Sequence, residues 1–593
     1  MQKQRNLIRS LPLQVMIRLF VILSVMIGWN LVASGQFMKN SGVRIVIDEN
    51  SGIYLQGDYF TTSAVGTIAL DGTLSLTGYM TATAGTLFSS PDATGVLKLT
   101  GHTTNYLSQP GILTVDGLWI NLATTLTLTP NQQMTIKGSL VVDGTADLYL
   151  QSSGESTASL IMEGSATGSV ICQRHIDGWT DNDDGWHLLS SPVIDQSVNP
   201  NFTVDPETDY DFYLWSEPDG LWVNYKNSTE PPTFFTANGN SNNFVSGRGY
   251  LVAYKYTYTK MFSGSLHSSS VVVSGLTNTE GDTHTGWNLV GNPFSCALKW
   301  NKTSGPGGWN LNNIGGIAKV WDESEASYTD ISQGEIIPAT QGFMVQVSDA
   351  GTGSLNLFAG DRTHSPINWY KDHEVNVIRL RAVDPAGSKS QETVIRFHEA
   401  ATGSFDADYD AHFLGGYAPQ FYSVSNGHEV STNALSMLTD ELRIPLYFIK
   451  NENTLFSIEA DSLMDLIPAY PVYLTDRKLG VTQNLTRDRV YTFIASDGDD
   501  PYRFDLHFKA VGVSESQPTS SVQIWSNDQT LYIRNPHSLT GIVDIVSMTG
   551  QRILQVPLTD ELLQQHQLQV ATGVYYVRVY GQQVFGSRKV FFN

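Results

Sequence analysis

Three aspartates at alternate positions, Asp406, Asp408 and Asp410, form the arrangement closest to a metal site in this sequence. Carboxylates at alternate positions open a calcium-binding loop, because this hard cation takes several oxygen ligands from one turn. Ala411 stands where such a loop needs glycine, and Tyr417 stands where it needs a bidentate acid. A loop without its closing carboxylate binds weakly. We therefore predict that calcium is the one cofactor these residues suit, and otherwise expect none.

Motifs with an established catalytic geometry are absent from the sequence. It contains no Gly-x-Ser-x-Gly, His-Glu-x-x-His, phosphate-binding loop or dinucleotide-binding glycine pattern. Cys172 and His175 are two isolated residues without further ligands at zinc spacing, a pattern that is more typical of packing than of zinc binding. The 57 acidic residues leave open a pair of catalytic carboxylates of the glycosidase type, because such a pair is defined by its separation in space and not along the chain. A secreted polysaccharide hydrolase therefore stays as the alternative to a non-enzymatic protein.

Tryptophans are concentrated in the middle of the chain, where nine of the twelve lie between Trp179 and Trp369. Exposed aromatic rings in β-sandwiches can stack on sugars. Four of the nine occupy equivalent positions of an internal repeat and are predicted to pack in cores: Trp186, Trp287, Trp215 and Trp321. Three of the other five are candidates for a glycan-binding surface, namely Trp222, Trp300 and Trp309.

An internal repeat organises this tryptophan-rich part. The phrase GWHLLSSPV from Gly185 returns as GWNLVGNPF from Gly286, and GRGYLVAY later returns as TQGFMVQV. A Trp-x-Glu phrase recurs between them, in the same order. Repeated phrases in one order indicate a duplicated structural unit. We predict a duplicated β-sandwich region over 171–370, with repeat units at 171–274 and 275–359.

The part before the repeat is poor in charge and rich in short alternating strands. Its loose phrase appears as DGTLSLTG, TGVLKLTG, PGILTVDG and KGSLVVDG, with first glycines at 72, 95, 111 and 138. Strand-and-turn units of about twenty residues predict the stacked rungs of a β-solenoid over 36–170. The Asp-Gly pairs leave a β-sandwich with hairpin turns open as the alternative.

Beyond the repeat, strands such as VNVIRLRAV and YRFDLHF alternate between apolar and polar residues and predict a further β-sandwich over 371–510. Residues 511–521, VGVSESQPTSS, have the composition of an exposed linker. The predicted fold class is thus all-β, with a solenoid-like N-terminal region, tandem β-sandwich units and a C-terminal β-sandwich.

The last stretch, 522–593, continues with strand-forming residues to the final position. Three places stand out: GIVDIVSMTGQRIL with Gly550, GVYYVRV with Gly573 and Tyr575, and the basic strand that contains Lys589 and Val590. In these places the stretch resembles the type A C-terminal sorting domain of proteins exported by the type IX (Por) secretion system of Gram-negative bacteria. It departs from that family in having IWSN, from position 524, where the family has Tyr-Pro-Asn-Pro.

The resemblance implies where the protein is delivered and does not imply what it does there. It implies an Ig-like β-sandwich, recognition by the type IX secretion machinery, removal at the preceding linker, and a secreted or cell-surface location outside the outer membrane. The N-terminus agrees, because four basic residues and no acid precede the apolar run LFVILSVMIGWNLVA. The small residues that follow predict a signal peptide over 1–35. No other stretch has the length of a membrane span, so we expect no transmembrane segment after cleavage.

Charge excludes one class of partner. The net charge of −22 repels phosphate backbones and anionic lipid, so we expect no nucleic-acid partner. Cys172 and Cys296 are as compatible with buried thiols as with a disulfide bridge. We expect an exported modular β-protein that serves adhesion or surface structure, or binds surface or host glycans or proteins.

Overall fold

The computed structural model describes residues 31–592 except for short segments, which are 89–93, 102–103, 106, 181–183, 205, 281–284, 368–376, 385, 387–388, 440, 464–470, 509–521, 528, 536–537, 548–550 and 582–583. Most of the predicted signal peptide and the whole predicted linker, 511–521, therefore lie outside the described residues. Strands account for 52% of the chain and helices for 2%, which confirms the predicted all-β class.

The N-terminal part is a β-solenoid whose successive rungs pair in parallel. Its strands are β1 (Leu31–Asn40), β2 (Ile45–Ile47), β3 (Gly52–Thr61), β4 (Ile68–Leu70), β5 (Thr73–Leu76), β6 (Met80–Ala82), β7 (Val96–Leu99), β8 (Thr104–Asn105), β9 (Leu107–Ser108), β10 (Leu113–Val115), β11 (Gly117–Ile120), β12 (Thr125–Leu128), β13 (Gln133–Ile136), β14 (Ser139–Val142), β15 (Asp147–Leu150), β16 (Ser159–Met162), β17 (Ser165–Thr167) and β18 (Val170–Ile176). The last three rungs each contain three strands, and each strand stacks in parallel on its counterpart in the next rung. The solenoid prediction is therefore confirmed over the hairpin alternative.

Alternation of apolar residues explains the solenoid. Leu74, Leu97, Leu118 and Leu140 stand opposite one another in adjacent strands of the long solenoid sheet, β17–β14–β11–β7–β5–β3–β6–β9, and each is at most 4% exposed. Each rung buries this row only against its neighbours, so the stack forms one continuous core. Residues between the leucines point outward, since side chains alternate across a strand.

The corners of the solenoid require glycine. A Cβ atom on Gly95 would lie 1.8 Å from the carbonyl oxygen of Leu70 in the preceding rung. Gly117 donates its N–H to the Gly95 carbonyl at 2.8 Å and continues this stack. The predicted alignment of the third phrase on Gly111 is therefore wrong, because its strand β10 belongs to another sheet. The repeat is more regular than the sequence spacing suggested.

Two repeats with the same topology follow the solenoid. The first contains β19 (His187–Leu189), a 3-10 turn (Glu207–Asp209), β20 (Tyr210–Ser216), β21 (Leu221–Asn224), the short helix α1 (Phe234–Ala237), β22 (Tyr250–Tyr254) and β23 (Tyr258–Gly264). The second contains β24 (Val271–Asn278), β25 (Trp287–Gly291), β26 (Ala297–Lys299), β27 (Ala318–Asp322), β28 (Ser327–Ile331), β29 (Ile336–Ile337), β30 (Gly342–Gln346), β31 (Gly351–Leu357), a 3-10 turn (Ala359–Asp361) and β32 (Arg362–Thr363).

The sheet orders β19–β22–β20–β21 and β25–β30–β27–β28 are equivalent, and so are the antiparallel pairs β18–β23 and β24–β31. Strand β24 therefore opens the second repeat, and the predicted boundary between residues 274 and 275 falls inside it. Strand β18 belongs to the last solenoid rung as well as to the first repeat, so these two parts share one hydrophobic core. Sheet β29–β26–β32 is an addition to the second repeat.

The third unit is one eleven-stranded sheet around its own core, with every pairing antiparallel except that of its second and fifth strands. Its strands are β33 (Ile378–Asp384), β34 (Lys389–Phe397), β35 (Ala411–His412), β36 (Gln420–Ser425), β37 (His428–Leu435), β38 (Arg443–Ile449), β39 (Leu455–Leu463), β40 (Tyr473–Asp476), β41 (Val481–Asn484), β42 (Val490–Ile494) and β43 (Tyr502–His507).

The terminal unit is a two-sheet sandwich with a separate core that runs from Val522 to Phe592. Its strands are β44 (Gln523–Asn527), β45 (Thr530–Arg534), β46 (Gly541–Ser547), β47 (Arg552–Leu558), β48 (Leu563–Gln567), β49 (Gly573–Tyr580) and β50 (Val584–Phe592). They form the sheets β44–β45–β48 and β47–β46–β49–β50.

Candidate functional site

The two repeats meet through reciprocal contacts. Ser190 in the first repeat donates its N–H to the Thr340 carbonyl of the second at 2.8 Å. Gly291 is the equivalent of Ser190, and it donates its N–H to the Gly247 carbonyl of the first repeat at 2.9 Å. Gly247 in turn is the equivalent of Thr340. The duplicated units therefore pack with approximate twofold symmetry.

Apolar side chains from both repeats fill this contact. The interface cluster consists of buried Leu188, Trp287, Leu289 and Met344 with half-buried Trp215, Trp222, Leu251, Trp321, Tyr328 and Leu414. The indole N–H of Trp215 donates to the Trp287 carbonyl at 2.6 Å, across the two repeats. Trp186 lies outside this cluster and packs against Tyr213, with ring centroids 5.9 Å apart. The repeat-equivalent tryptophans therefore have packing roles, as their repetition predicts.

Trp222 is part of the same symmetric arrangement. It stands directly opposite Trp215 in the β20–β21 hairpin, just as Tyr328 stands opposite Trp321 in the β27–β28 hairpin. Its ring contacts Trp215 with centroids 5.2 Å apart. Trp222 is thus the repeat equivalent of Tyr328, which corrects the interpretation of it as an unrepeated surface residue.

Trp300 and Trp309 are fully buried, so the prediction that they face a glycan is wrong. Their rings meet edge to face at 4.9 Å inside the core of the second repeat. Both indole N–H groups are satisfied within the protein, by the Gly316 carbonyl at 2.8 Å and by the Asp361 carboxylate at 2.9 Å. These rings stabilise the added layer of the second repeat and present no face to a ligand.

Two carboxylates at equivalent positions of the repeats each accept a hydrogen bond from the other repeat. Glu217 in the first repeat accepts the backbone N–H of Thr279 at 2.9 Å. Glu323 in the second repeat accepts the N–H of Gly185 and, at 2.6 Å, the indole N–H of Trp321. Burial raises the pKa of Glu323 to about 7 in spite of these bonds. The equivalence with Glu217 gives Glu323 a structural role.

The predicted calcium loop uses its carboxylates for its own backbone. Asp406 accepts the N–H of Thr402 at 2.6 Å, and Asp410 accepts the N–H groups of Asp406 at 2.7 Å and Ala434 at 2.6 Å. The carbonyl of Asp408 accepts the Lys302 ammonium at 2.7 Å. Among the described residues, no group of three or more His, Cys, Asp or Glu side chains is gathered at metal-binding distances. The structure therefore does not bring the three aspartates together as a ligand set.

A small cleft lies between the second repeat and the third unit, with Asp410 and His412 in its lining. The His412 ring stacks on Phe405 at 3.9 Å, and its nitrogens lie 2.7 Å from Gln346 Oε1 and 3.2 Å from His428 Nδ1. Burial raises the pKa of Asp410 to about 6. The enclosed space suits about one water molecule and is too small for a sugar ring.

The described residues that carry the sorting-domain resemblance lie in one sheet of the terminal sandwich. Gly573 begins β49, and the hydroxyl of Tyr575 donates at 2.8 Å to a carbonyl four residues upstream. Val590 is buried opposite Tyr575 on β50, while the Lys589 ammonium lies 5.1 Å from a neighbouring tyrosine ring. Gly550 lies outside the described residues.

The sequence reasoning missed an outward row on the long solenoid sheet. We name it the solenoid ladder, and in order across the strands it consists of Tyr54, Ser75, Lys98, Trp119, Val141 and Thr167. Tyr54 is 37% exposed and Trp119 is 38% exposed. Trp119 stands between the inward residues of GLWI, so the strand period alone would have placed it outside.

Cys172 and Cys296 are free, buried thiols. Burial raises the pKa of both, which keeps them protonated and unreactive at neutral pH. Across the part of the chain that the structure describes, no helix has the length and apolar character needed to span a membrane.

Comparison with known proteins places most of the chain in one family. The family model described as "Domain of unknown function (DUF8693)" matches residues 96–334 and residues 325–508. No curated protein matches the chain. One similar solved chain is described as "Biofilm associated protein - BSP domain". It is 8% identical, and the match covers 70% of this chain and 97% of that one with a TM-score of 0.11, which is too low to support an argument.

Proposed function

The chain belongs to the DUF8693 family, a domain of unknown function, and we propose that it is a modular β-protein exported by the type IX secretion machinery to the cell surface or the medium. Its role there is adhesion, surface structure or glycan binding. The terminal sandwich is the observation that carries this proposal. It has its own core and two regular sheets, as a separately folded export signal requires.

The contact between the terminal sandwich and the third unit supports a removable signal. Leu455 of the third unit packs with Val546 and Tyr576 of the sandwich, and the Thr492 hydroxyl lies 3.3 Å from the Tyr576 hydroxyl. This apolar cluster is separate from the core of the third unit and from the core of the sandwich. Removal of the sandwich would therefore leave the core of the third unit closed.

Deletion of 522–593 tests the export route. In a Gram-negative host with type IX secretion, we expect the full chain at the surface or in the medium and the shortened chain in the periplasm. Leu562→Ala is the matched control, since this side chain of the sandwich is 62% exposed and lies outside its core. Surface delivery of the shortened chain would refute the proposed route.

A second experiment tests the role at the surface. The full-length protein is applied to a glycan array while reducing-sugar release is followed on the same polysaccharides. Binding without release supports a non-enzymatic glycan-binding role. Turnover that is abolished by substitution of a single acidic residue would replace this role with the polysaccharide hydrolase.

A further inference from the structure

The outward face of the long solenoid sheet has an unusual composition for so acidic a chain. Within the solenoid ladder, Lys98 is the one charged residue, although the net charge of the protein is −22. The row beside the ladder contains small residues, among them Thr73, Val96, Ser139 and Ser165. The face therefore combines two exposed aromatic rings with hydroxyl groups and almost no charge.

We propose that this face binds a neutral, linear oligosaccharide that lies across the strands, along the solenoid axis. The inference rests on the proposed function and assigns a site to the glycan binding that this function includes. Tyr54 and Trp119 are three strands apart, which corresponds to roughly 14 Å at the usual strand spacing. An extended oligosaccharide bridges that distance, whereas a single sugar ring does not.

The chemistry of the face favours a neutral glycan over other partners. Aromatic rings offer sugars an apolar platform, and the hydroxyl of Ser75 between the two rings can donate or accept a hydrogen bond. Acidic polymers are disfavoured by the negative field of the whole chain. A stable protein interface needs a contiguous apolar centre, but here the residues around the rings are small and polar.

A second aromatic row, on the third unit, fits the same ligand less well. Tyr422, Tyr447 and Tyr502 stack on one another with centroids 5.6 Å and 5.2 Å apart, so their ring faces are covered. The Trp119 ring instead meets the Lys98 ammonium at 3.8 Å. A flexible lysine side chain can move aside or donate to a sugar hydroxyl, so the face of the indole is available.

The test measures binding of the full-length protein to cellohexaose, xylohexaose and mannohexaose by calorimetry. Cellobiose serves as the short probe and a polygalacturonate hexamer as the acidic one. The variants are Trp119→Ala and Tyr54→Ala, with Trp525→Ala as the matched control because this tryptophan is also 37% exposed. All three positions are on the surface, and unchanged melting temperatures verify that the variants fold.

We expect at least one neutral hexasaccharide to bind more tightly than cellobiose and than the acidic probe. Trp119→Ala and Tyr54→Ala should each weaken that binding by about tenfold, as truncation of an aromatic contact at the centre of an interface does. Trp525→Ala should leave it unchanged.

Three results would overturn the inference. Hexasaccharide binding that both ladder variants leave unchanged would place the glycan site elsewhere and leave the proposed function intact. Absence of binding to all three neutral probes, or tighter binding of the acidic probe, would reject the assigned ligand class. Export remains separately testable by deletion of the terminal sandwich, so failure of one proposal is distinguishable from failure of the other.

Discussion

A buried ion pair of the second repeat lies at its contact with the third unit, and its removal offers a quantitative test of how these two units are held together. The Lys319 side chain is fully buried and that of Asp330 is 5% exposed, and the two form a direct contact. Asp330 also accepts the hydroxyls of Ser431 at 2.8 Å and Thr432 at 2.6 Å, both from β37 of the third unit. The pair thus lies inside the junction.

The expected effects differ between the two partners. Asp330→Asn leaves a buried ammonium without a counter-charge, which should cost about 3 to 5 kcal/mol. Lys319→Met leaves a carboxylate that still accepts two hydroxyl groups. The loss of stability should therefore lie near the lower end of the same range, at about 3 kcal/mol. The double variant Lys319→Met with Asp330→Leu removes both charges and should recover most of the loss.

Native-state hydrogen exchange is the appropriate assay, because a chain with several cores does not unfold in one step. Protection of the β27 and β37 amides should fall in both single variants and return in the double variant, while amides of the terminal sandwich stay unchanged. Two results would refute the reasoning. One is a loss of stability below about 1 kcal/mol in both single variants, and the other is a loss in the double variant that equals the sum of the two single losses.

Three further outcomes follow from individual residues. Gly95→Ala should lower amide protection in the solenoid because its Cβ would meet the Leu70 carbonyl, whereas Gly144→Ala, with nothing within 4 Å of its Cβ, should leave that protection unchanged. Tyr575→Phe should cost the terminal sandwich about 1 kcal/mol in amide protection, the value of one hydrogen bond. The pKa of Glu323 is about 7 when folded and 4.5 ordinarily, so the native state binds more protons between these values. Stability should fall as pH rises through that window, and Glu323→Gln should flatten the dependence on pH of amide protection in the two repeats.

The solenoid shows how far local pattern determines this fold. Its alternating leucines and corner glycines specify the rung unit, and they were sufficient to predict stacked strands. The phrases did not reveal which face each strand occupies. Gly111 and Gly117 both belong to the phrase PGILTVDG, and only the pairing across rungs shows that Gly117 is the corner residue. That pairing is a long-range property that a short phrase does not encode.

The three tryptophan candidates differ in what the sequence could have revealed. Trp222 follows Trp215 by the same interval that separates Tyr328 from Trp321, so a constant repeat offset would have identified it as an equivalent position. Trp300 gave no such signal. It lies outside the duplicated strands because the second repeat carries an added sheet, and that layer buries it. A residue that is absent from a repeat therefore need not be on the surface.

The acidic loop illustrates a second limit of sequence reasoning. Carboxylates at alternate positions can serve a cation or the turn itself, and both uses have the same local pattern. The N–H of Ala434, 24 residues away on β37, engages Asp410 and favours the second use. No inspection of residues 406–410 could have supplied that donor.

The junctions along the chain differ in kind, and this difference bears on the proposed export. The solenoid and the first repeat share the strand β18 and one core. The two repeats exchange reciprocal hydrogen bonds around the interface cluster, and Asp330 of the buried ion pair accepts two hydroxyl groups from the third unit. The terminal sandwich contacts the third unit through the cluster of Leu455, Val546 and Tyr576 and through the hydroxyl pair of Thr492 and Tyr576. Because separation at either end of the second repeat would expose apolar clusters or buried charge, the described residues up to 508 should behave as one cargo. A delivery signal that is removed after transport should be fastened by the weakest of these contacts.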